Sequence, residues 1–310
     1  MRQSRSFAIN IIIFRGIIDC GGTKNQLILY RQSGKVVFQN ENQGITILLD
    51  DQLFIKNLLE LLATIPQAYL TSIENIQIGI AGWGSYTFKE TLYQRIYAIY
   101  PMFQGKLEIQ TDVELVRKAY FGNEDGVIVL AGTGSVIYGH LQQKVIQIGG
   151  WGYLLGDEGS AYWIFKTYII KLLSDFDASQ KLREDQAAFL RHLNLKSTKE
   201  LVGYFYSLER REVAQKCLIL VDLAKEYPEV VEIFQLAGQQ LANQLLTLHQ
   251  RISLPFSVAF HGSVLLKNDY VKEALIACLK DLPEIQPVQE TISPCAACLK
   301  HNEVKKCIEN

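Results

Sequence analysis

The sequence predicts an α/β protein made of two copies of one topology around a central cleft, with a helical insertion in the second copy. Three observations predict it. Strand-length apolar segments alternate with segments of helical period in the order βββαβαβ over residues 16–110. The order restarts near residue 111, and in each copy a glycine-threonine turn, Gly22-Thr23 or Gly132-Thr133, separates the first two strands. From Ser160 to Arg251 only helical periodicity is present, after which strand patterns resume.

The first copy opens with strands at Gly16 to Cys20, Gln26 to Tyr30 and Val36 to Gln39, joined by glycine or polar turns. A helix follows at Leu53 to Ala63, a strand at Ile76 to Ile80, a helix around Phe88 to Tyr100 and a strand at Leu107 to Gln110. The second copy has a helical stretch at Val113 to Phe121 and strands at Gly126 to Ala131, Ser135 to His140 and Val145 to Ile148. In the insertion, Leu218, Val221 and Leu223, and then Leu236, Leu241, Leu245 and Leu248, recur at helical spacing and are expected in a core. Strands at Phe256 to Phe260 and Ile285 to Val288, each followed by a helical segment, complete the second sheet. The expected domains are 16–110 and 111–293, with the insertion at 160–251 and a last helix at about 294–306 that crosses back to the first domain.

A chain of 310 residues with 48% hydrophobic and 20% charged residues has the balance of a soluble globular protein. Its net charge of -1 excludes broad attraction for nucleic acid or an anionic membrane, so an anion must be bound locally, by backbone N–H groups at glycine loops and helix N-termini. The six cysteines are scattered and outline no disulfide framework, which implies a reducing cytoplasm. Cys295-Ala-Ala-Cys298 supplies two ligands where structural zinc takes four, and reads as packed helix residues. The apolar run Phe7 to Phe14 follows Arg2 and Arg5 but contains Asn10 and ends at Arg15. It is far short of the roughly 20 residues of a membrane helix, and reads as a non-native start or an extension into the first strand.

Five constellations carry chemistry. In Asp19-Cys20-Gly21-Gly22-Thr23-Lys24, on the first turn, glycines let successive N–H groups approach an anion, and Asp19 at a strand end is placed to hold the water shell of Mg²⁺. A tight hairpin turn explains the same glycines. Ala131-Gly132-Thr133-Gly134-Ser135 occupies the matching place in the second copy, and two matched turns would form the jaws of a phosphate clamp. The run Gly149 to Trp163 holds five glycines, two tryptophans and the acids Asp157 and Glu158, the composition of a ligand loop. There Trp151 offers an apolar ring face and Asp157 can accept from sugar hydroxyls, or cap the helix that follows. Asp112, after the strand ending at Gln110, is placed as a general base or as a helix cap. His261-Gly262-Ser263-Val264 follows a strand, with Gly262 letting a flat ring lie against the backbone and His261 structural.

These pieces in this order resemble the N-acetylglucosamine kinase branch of the BadF/BadG/BcrA/BcrD ATPase family, within the superfamily of actin, Hsp70 and hexokinase. The resemblance runs from about Gly16 to about Lys300, and the Gly149 to Trp163 run is its most specific element. It implies two ribonuclease H-like (actin-like ATPase) domains and an ATP- and Mg²⁺-dependent kinase, cytoplasmic and homodimeric, that transfers phosphate to the 6-hydroxyl of an amino sugar such as N-acetylglucosamine. It implies that Gly21, Gly22 and Thr23, beside Lys24, form the first phosphate loop and Gly132, Thr133 and Gly134 the second, with Gly262 and Ser263 at the adenosine. Asp112 falls on the catalytic base, Trp151 and Asp157 on sugar contacts, and Ser135 and Ala161 close by.

Where the family has a sugar-contacting asparagine after the third strand, this chain reads Asn40 to Thr46, and Asn42 and Thr46 are the two candidates. A glycine of the family's C-terminal pattern is replaced by Cys295. Closure of the domains on the sugar is expected, since water competes as a nucleophile. The rival readings are an ATPase activator for an iron–sulfur enzyme, using Cys295 and Cys298 from each of two subunits, and a non-catalytic sugar sensor. A sugar-responsive repressor would need a helix-turn-helix domain for which the short N-terminal extension has no room.

Overall fold

The computed structural model describes residues 13–22 and 24–288. They form two compact units, residues 13–123 and 124–288.

In the first unit, β1 (Phe14–Cys20), β2 (Lys24–Arg31) and β3 (Val36–Gln43) form an antiparallel meander. Helices α1 (Asp51–Ala63) and α2 (Gln67–Leu70), strand β4 (Ile73–Ile80), α3 (Lys89–Ile99), β5 (Leu107–Thr111) and α4 (Asp112–Phe121) follow. The sheet order is β3-β2-β1-β4-β5, with β1, β4 and β5 parallel. As the central strand, β1 is buried on both faces, and Ile17 and Ile18 have no exposed surface. Helix α1 packs on β2 and β3 and lays Phe54, Leu58, Leu61 and Leu62 into the core of this unit. Its start is fixed by Asp50, whose carboxylate accepts from Leu53 N at 2.9 Å. On α4 the fully buried Arg117 makes a two-pronged bond to Glu114, at 3.0 Å from Nε and from Nη2, and Nη2 also donates to the Gly122 carbonyl.

The second unit contains β6 (Gly126–Ala131), β7 (Ser135–Leu141), β8 (Lys144–Gly149), α5 (Ala161–Ser179), α6 (Glu184–His192), α7 (Thr198–Ser207), α8 (Arg210–Leu223) and α9 (Pro228–Ile252). It closes with β9 (Phe256–His261), α10 (Ser263–Lys267), α11 (Asp269–Leu279) and β10 (Ile285–Pro287). Its sheet order, β10-β9-β6-β7-β8, is that of the first sheet read strand for strand, so the duplication expected from the sequence is present. Helices α5, α8 and α9 share one core with the sheet through Phe165, Cys217, Leu220, Leu241 and Leu245.

Three readings are corrected. The third strand runs on to Gln43, so Asn42 is a strand residue paired with Asn25 and not part of a loop. Leu218, expected in the core, is 67% exposed, because the buried stripe of α8 is Val213, Ala214, Cys217, Leu220 and Leu223 and Leu218 lies beside it. Helix α2 is additional. The run Phe7 to Phe14 lies outside the described residues except for its last two, and the helix from about 294, with Cys295 and Cys298, lies wholly outside them.

Candidate functional site

In the first unit, the chain turns between β1 and β2 with Gly21 N donating to Lys24 O at 3.0 Å. Thr23 lies outside the described residues. Gly44 closes on this turn from behind. A methyl group there would sit 2.3 Å from Gly21 O and 2.6 Å from Lys24 N, so only glycine fits. The contact brings Thr46 Oγ1 to 3.2 Å from where a Gly22 Cβ would be. Asn42 is committed elsewhere, its Oδ1 accepting from Asn25 at 3.0 Å and its Nδ2 donating to Asn57 O at 2.7 Å. Of the two candidates left open by the sequence, Thr46 is the one beside the glycine turn. The Lys24 ammonium lies 2.9 Å from the Glu41 carboxylate, both exposed.

Asp19 and Asp112 come together through the sheet. Asp19 pairs with Gly79, and Gly79 with Gln110, at the carboxyl ends of the parallel strands. Lacking a side chain, Gly79 admits Leu115 and the Asp112 backbone of α4. Thr111 caps this helix, its hydroxyl accepting from Glu114 N at 3.1 Å, so Asp112 is not the cap. The Asp112 carboxylate accepts from the adjacent Val113 N at 3.0 Å and from its own N–H, and burial outweighs these donors and pushes its pKa up. Burial first, and then the Asp112 charge, push Asp19 up to about 6.

Two half-buried carboxylates side by side are the donor set of a hard cation. Beside them the buried Gln110 amide has no partner on either atom, as a group waiting for water does. Among the described residues no three His, Cys, Asp or Glu side chains converge on a metal-sized point. Mg²⁺ fits, since it takes most of its shell from water and phosphate.

In the second unit, Gly132 N donates to Gly134 O at 2.9 Å, and the turn meets three elements. The N-terminus of α5 docks on it through Ala161 N to Gly132 O at 2.8 Å. Ser263, at the start of α10, faces Gly132, while Gly262 packs against Ala131. The loop between β8 and α5 arrives with Asp157, 3% exposed and in the left-handed conformation at φ 59°. Asp157 is not the cap of α5. That is the fully buried Ser160, which accepts from Trp163 N at 3.2 Å.

Ser135 positions this loop, its Oγ donating to Glu158 O at 2.7 Å. Asp157 Oδ2 accepts from Arg210 Nη2 at 3.1 Å, and the Gly152 and Ser135 N–H groups also donate to the carboxylate. Burial nonetheless outweighs Arg210 and these donors and leaves the Asp157 pKa raised. Trp151 is 73% exposed, a ring face open to solvent. His261 ends β9, and burial pushes its pKa down.

Thus Asp19, Asp112, Gly21, Gly22 and Thr46 gather in the first unit, and Gly132, Gly134, Ser135, Asp157, Ala161 and Ser263 in the second. Asn42 and Lys24 are drawn into other pairs. Sequence reasoning missed Gly44 and Arg210. The loop position of Gly44 after a polar strand was a signal for the former; Glu209-Arg210-Arg211-Glu212 looks like any solvated charge run and gives none for the latter.

The profile described as the BadF/BadG/BcrA/BcrD ATPase family matches residues 17–294. An N-acetylmuramic acid/N-acetylglucosamine kinase of Clostridium acetobutylicum is 29% identical over 205 residues, 64% of this chain and 66% of the relative, so the match spans slightly less than two-thirds of that protein's length. A candidate N-acetylglucosamine kinase from Chromobacterium violaceum superposes with a TM-score of 0.72 at 20% identity, over 93% of this chain and 99% of that one. Another, from Porphyromonas gingivalis, gives 0.70 at 21% identity over 94% and 99%. At these identities the likeness speaks to the fold, which is the two-domain ribonuclease H-like α/β architecture expected from the sequence. No described helix is long and apolar enough to cross a membrane.

Proposed function

The chain belongs to the BadF/BadG/BcrA/BcrD ATPase family, and from that premise we propose that it is a cytoplasmic, ATP-dependent kinase that phosphorylates an amino sugar, N-acetylglucosamine or a close relative, at its 6-hydroxyl. The observation that carries the reading is the state of Asp112. It is a carboxylate at the first position of α4 whose capping role is filled by Thr111, and whose raised pKa brings it toward the range of a useful general base. The kinase of Clostridium acetobutylicum supports the choice of acceptor.

In this reading Asp112 accepts the proton of the sugar hydroxyl as that oxygen bonds to the γ-phosphorus and the bond to the departing ADP breaks. The N–H group at Gly22, and those at Thr133 and Gly134, cradle phosphate oxygens on turns that the Gly21 and Gly132 N–H groups close, while Gly262 and Ser263 lie against the adenosine. Asp157 accepts from sugar hydroxyls, Trp151 supplies a ring face, and Thr46 adds a hydroxyl. Asp19 would hold Mg²⁺, which would supply charge neutralisation at the phosphates. A homodimer is the assembly we propose, on the family resemblance.

A coupled assay with Mg-ATP against N-acetylglucosamine, glucosamine, N-acetylmannosamine, N-acetylmuramate and glucose tests the reading. We expect turnover on at least one N-acetylated amino sugar. Asp112→Asn should reduce kcat on the order of 10²-fold or more with both KM values nearly unchanged. ATP binding without turnover on any of these sugars, or a wild-type rate in the variant, would sink it.

A further inference from the structure

Among the described residues, Asp157 forms its salt bridge with one cation, Arg210, 53 residues away in sequence. The insertion delivers it. Arg210 is the first residue of α8, whose start is fixed by a capping box in which Glu209 N donates to Glu212 Oε2 at 2.8 Å. The body of α8 is held in the unit core by Val213, Ala214, Cys217 and Leu220. From there the guanidinium lies over the ring of Tyr153 at 5.4 Å, and that ring meets Tyr162 of α5 edge-on at 4.9 Å. The pair also rests on the second glycine turn, because a methyl group at Gly134 would be 2.6 Å from both Arg210 Nη2 and Asp157 Oδ2.

We propose that Arg210 is a positioning residue for sugar recognition, pinning the loop at 151–160 against the second glycine turn and holding the Asp157 carboxylate as a hydrogen-bond acceptor. The proposal deepens the amino-sugar kinase reading, and only its kinetic readouts rest on that reading. A carboxylate that is 3% exposed on a left-handed residue has two responses to losing its cation: it takes up a proton, or the loop swings it into water. A protonated Asp157 donates where it should accept, and a displaced one contacts nothing. The charged or titratable groups around it are Arg210 from α8 and Glu158 from its own loop, with Tyr153 and Tyr162 beyond the guanidinium. Glu158 is itself tied down, its Oε2 accepting from Gln244 Nε2 at 3.0 Å. With Arg210 gone, no described cation opposes protonation.

The test uses the full chain as wild type, Arg210→Met, Arg210→Lys and Asp157→Asn, and as the double variant carrying Asp157→Asn with Arg210→Met. In Arg210→Met the KM for N-acetylglucosamine should rise on the order of 30-fold, as expected when a buried charge loses its partner. The ATP KM should stay within about threefold and kcat fall less than the sugar KM rises. The sugar KM of Arg210→Met should also climb more steeply from pH 8 to pH 6 than that of the wild type, since Asp157 has lost the cation that opposes its protonation. Arg210→Lys should recover most of the loss, and the double variant should be no worse than Asp157→Asn alone.

A second arm needs no sugar: limited chymotrypsin digestion should cut the 151–155 stretch faster in Arg210→Met than in wild type. A sugar KM within threefold of wild type, or equal losses on sugar and ATP, overturns the positioning role. If the wild type turns over no sugar in the panel, the kinase reading fails and the digestion decides: faster cutting supports the pin, and equal rates overturn it.

Discussion

The glycine turn of the first unit is buttressed by main chain, and that of the second by charge. Behind residues 21–24 stands Gly44, within 2.7 Å of three backbone atoms if it carried a methyl group. Behind residues 132–134 stand the ends of two side chains, Asp157 and Arg210. Main chain in a sheet cannot move without breaking ladder bonds, whereas a guanidinium on a flexible stem can shift a few tenths of an ångström. The support behind the first turn is therefore stiff main chain, and that behind the second is adjustable and electrostatically tuned. One topology duplicated has kept a glycine turn between its first two strands while replacing what supports it.

The sharpest way to break the contrast is Gly44→Ala. It should lower stability by about 3 kcal/mol in urea unfolding and raise the ATP KM more than the sugar KM, because the clash is with backbone. Next comes Asp19→Asn. A raised folded-state pKa means that ionised Asp19 opposes folding at neutral pH, so the variant should be more stable than wild type by on the order of 2 kcal/mol in chelator at pH 7.5, the figure being discounted for the residual exposure of the group. The gain should appear as pH rises from about 4 to about 6 and vanish below, where both folded and unfolded Asp19 are neutral. Turnover should be lost at the same time. A variant no more stable than wild type would mean that Asp19 carries no such strain.

Gly134→Ala should cost less than Gly44→Ala, about 1 kcal/mol, and should raise the sugar KM before the ATP KM, because Arg210 and Asp157 give way first. Equal stability losses in the two glycine variants would erase the distinction between backbone and side-chain support. The smallest effect belongs to Lys24→Ala. Its ion pair with Glu41 is exposed on both sides, so stability should change by less than about 0.5 kcal/mol in the same unfolding assay.

Much of this architecture can be read before any coordinates. Both turns announce themselves as glycine runs between strands of matched order, and Asp112 stands at a strand end where a general base belongs. What the sequence hides has physical causes. β3 continues through Gln39-Asn40-Glu41-Asn42-Gln43, a run of poor strand formers, because β2 offers it a partner for every residue; propensity yields to pairing. That extension turns Asn42 from a loop ligand into a strand residue tied to Asn25 and Asn57. Leu218 looks like core because three leucine-type residues recur near it, yet a helix shows its partner only one stripe, and that stripe runs through Cys217 and Leu220. Arg210 is hidden most deeply, since the closeness of residues 157 and 210 depends on how α5 and α8 pack and leaves no local mark.

The left-handed backbone at Asp157 also bears on how such a protein drifts over generations. Asparagine and glycine tolerate that conformation as well as aspartate does, and each is reached from an aspartate codon by a single base change. Glutamate keeps the charge but is a longer chain with less tolerance for the backbone, and it would have to crowd Gly134 and Arg210. The changes that suit this backbone therefore delete the carboxylate. A lineage can lose this buried charge in one step while the backbone that carried it persists.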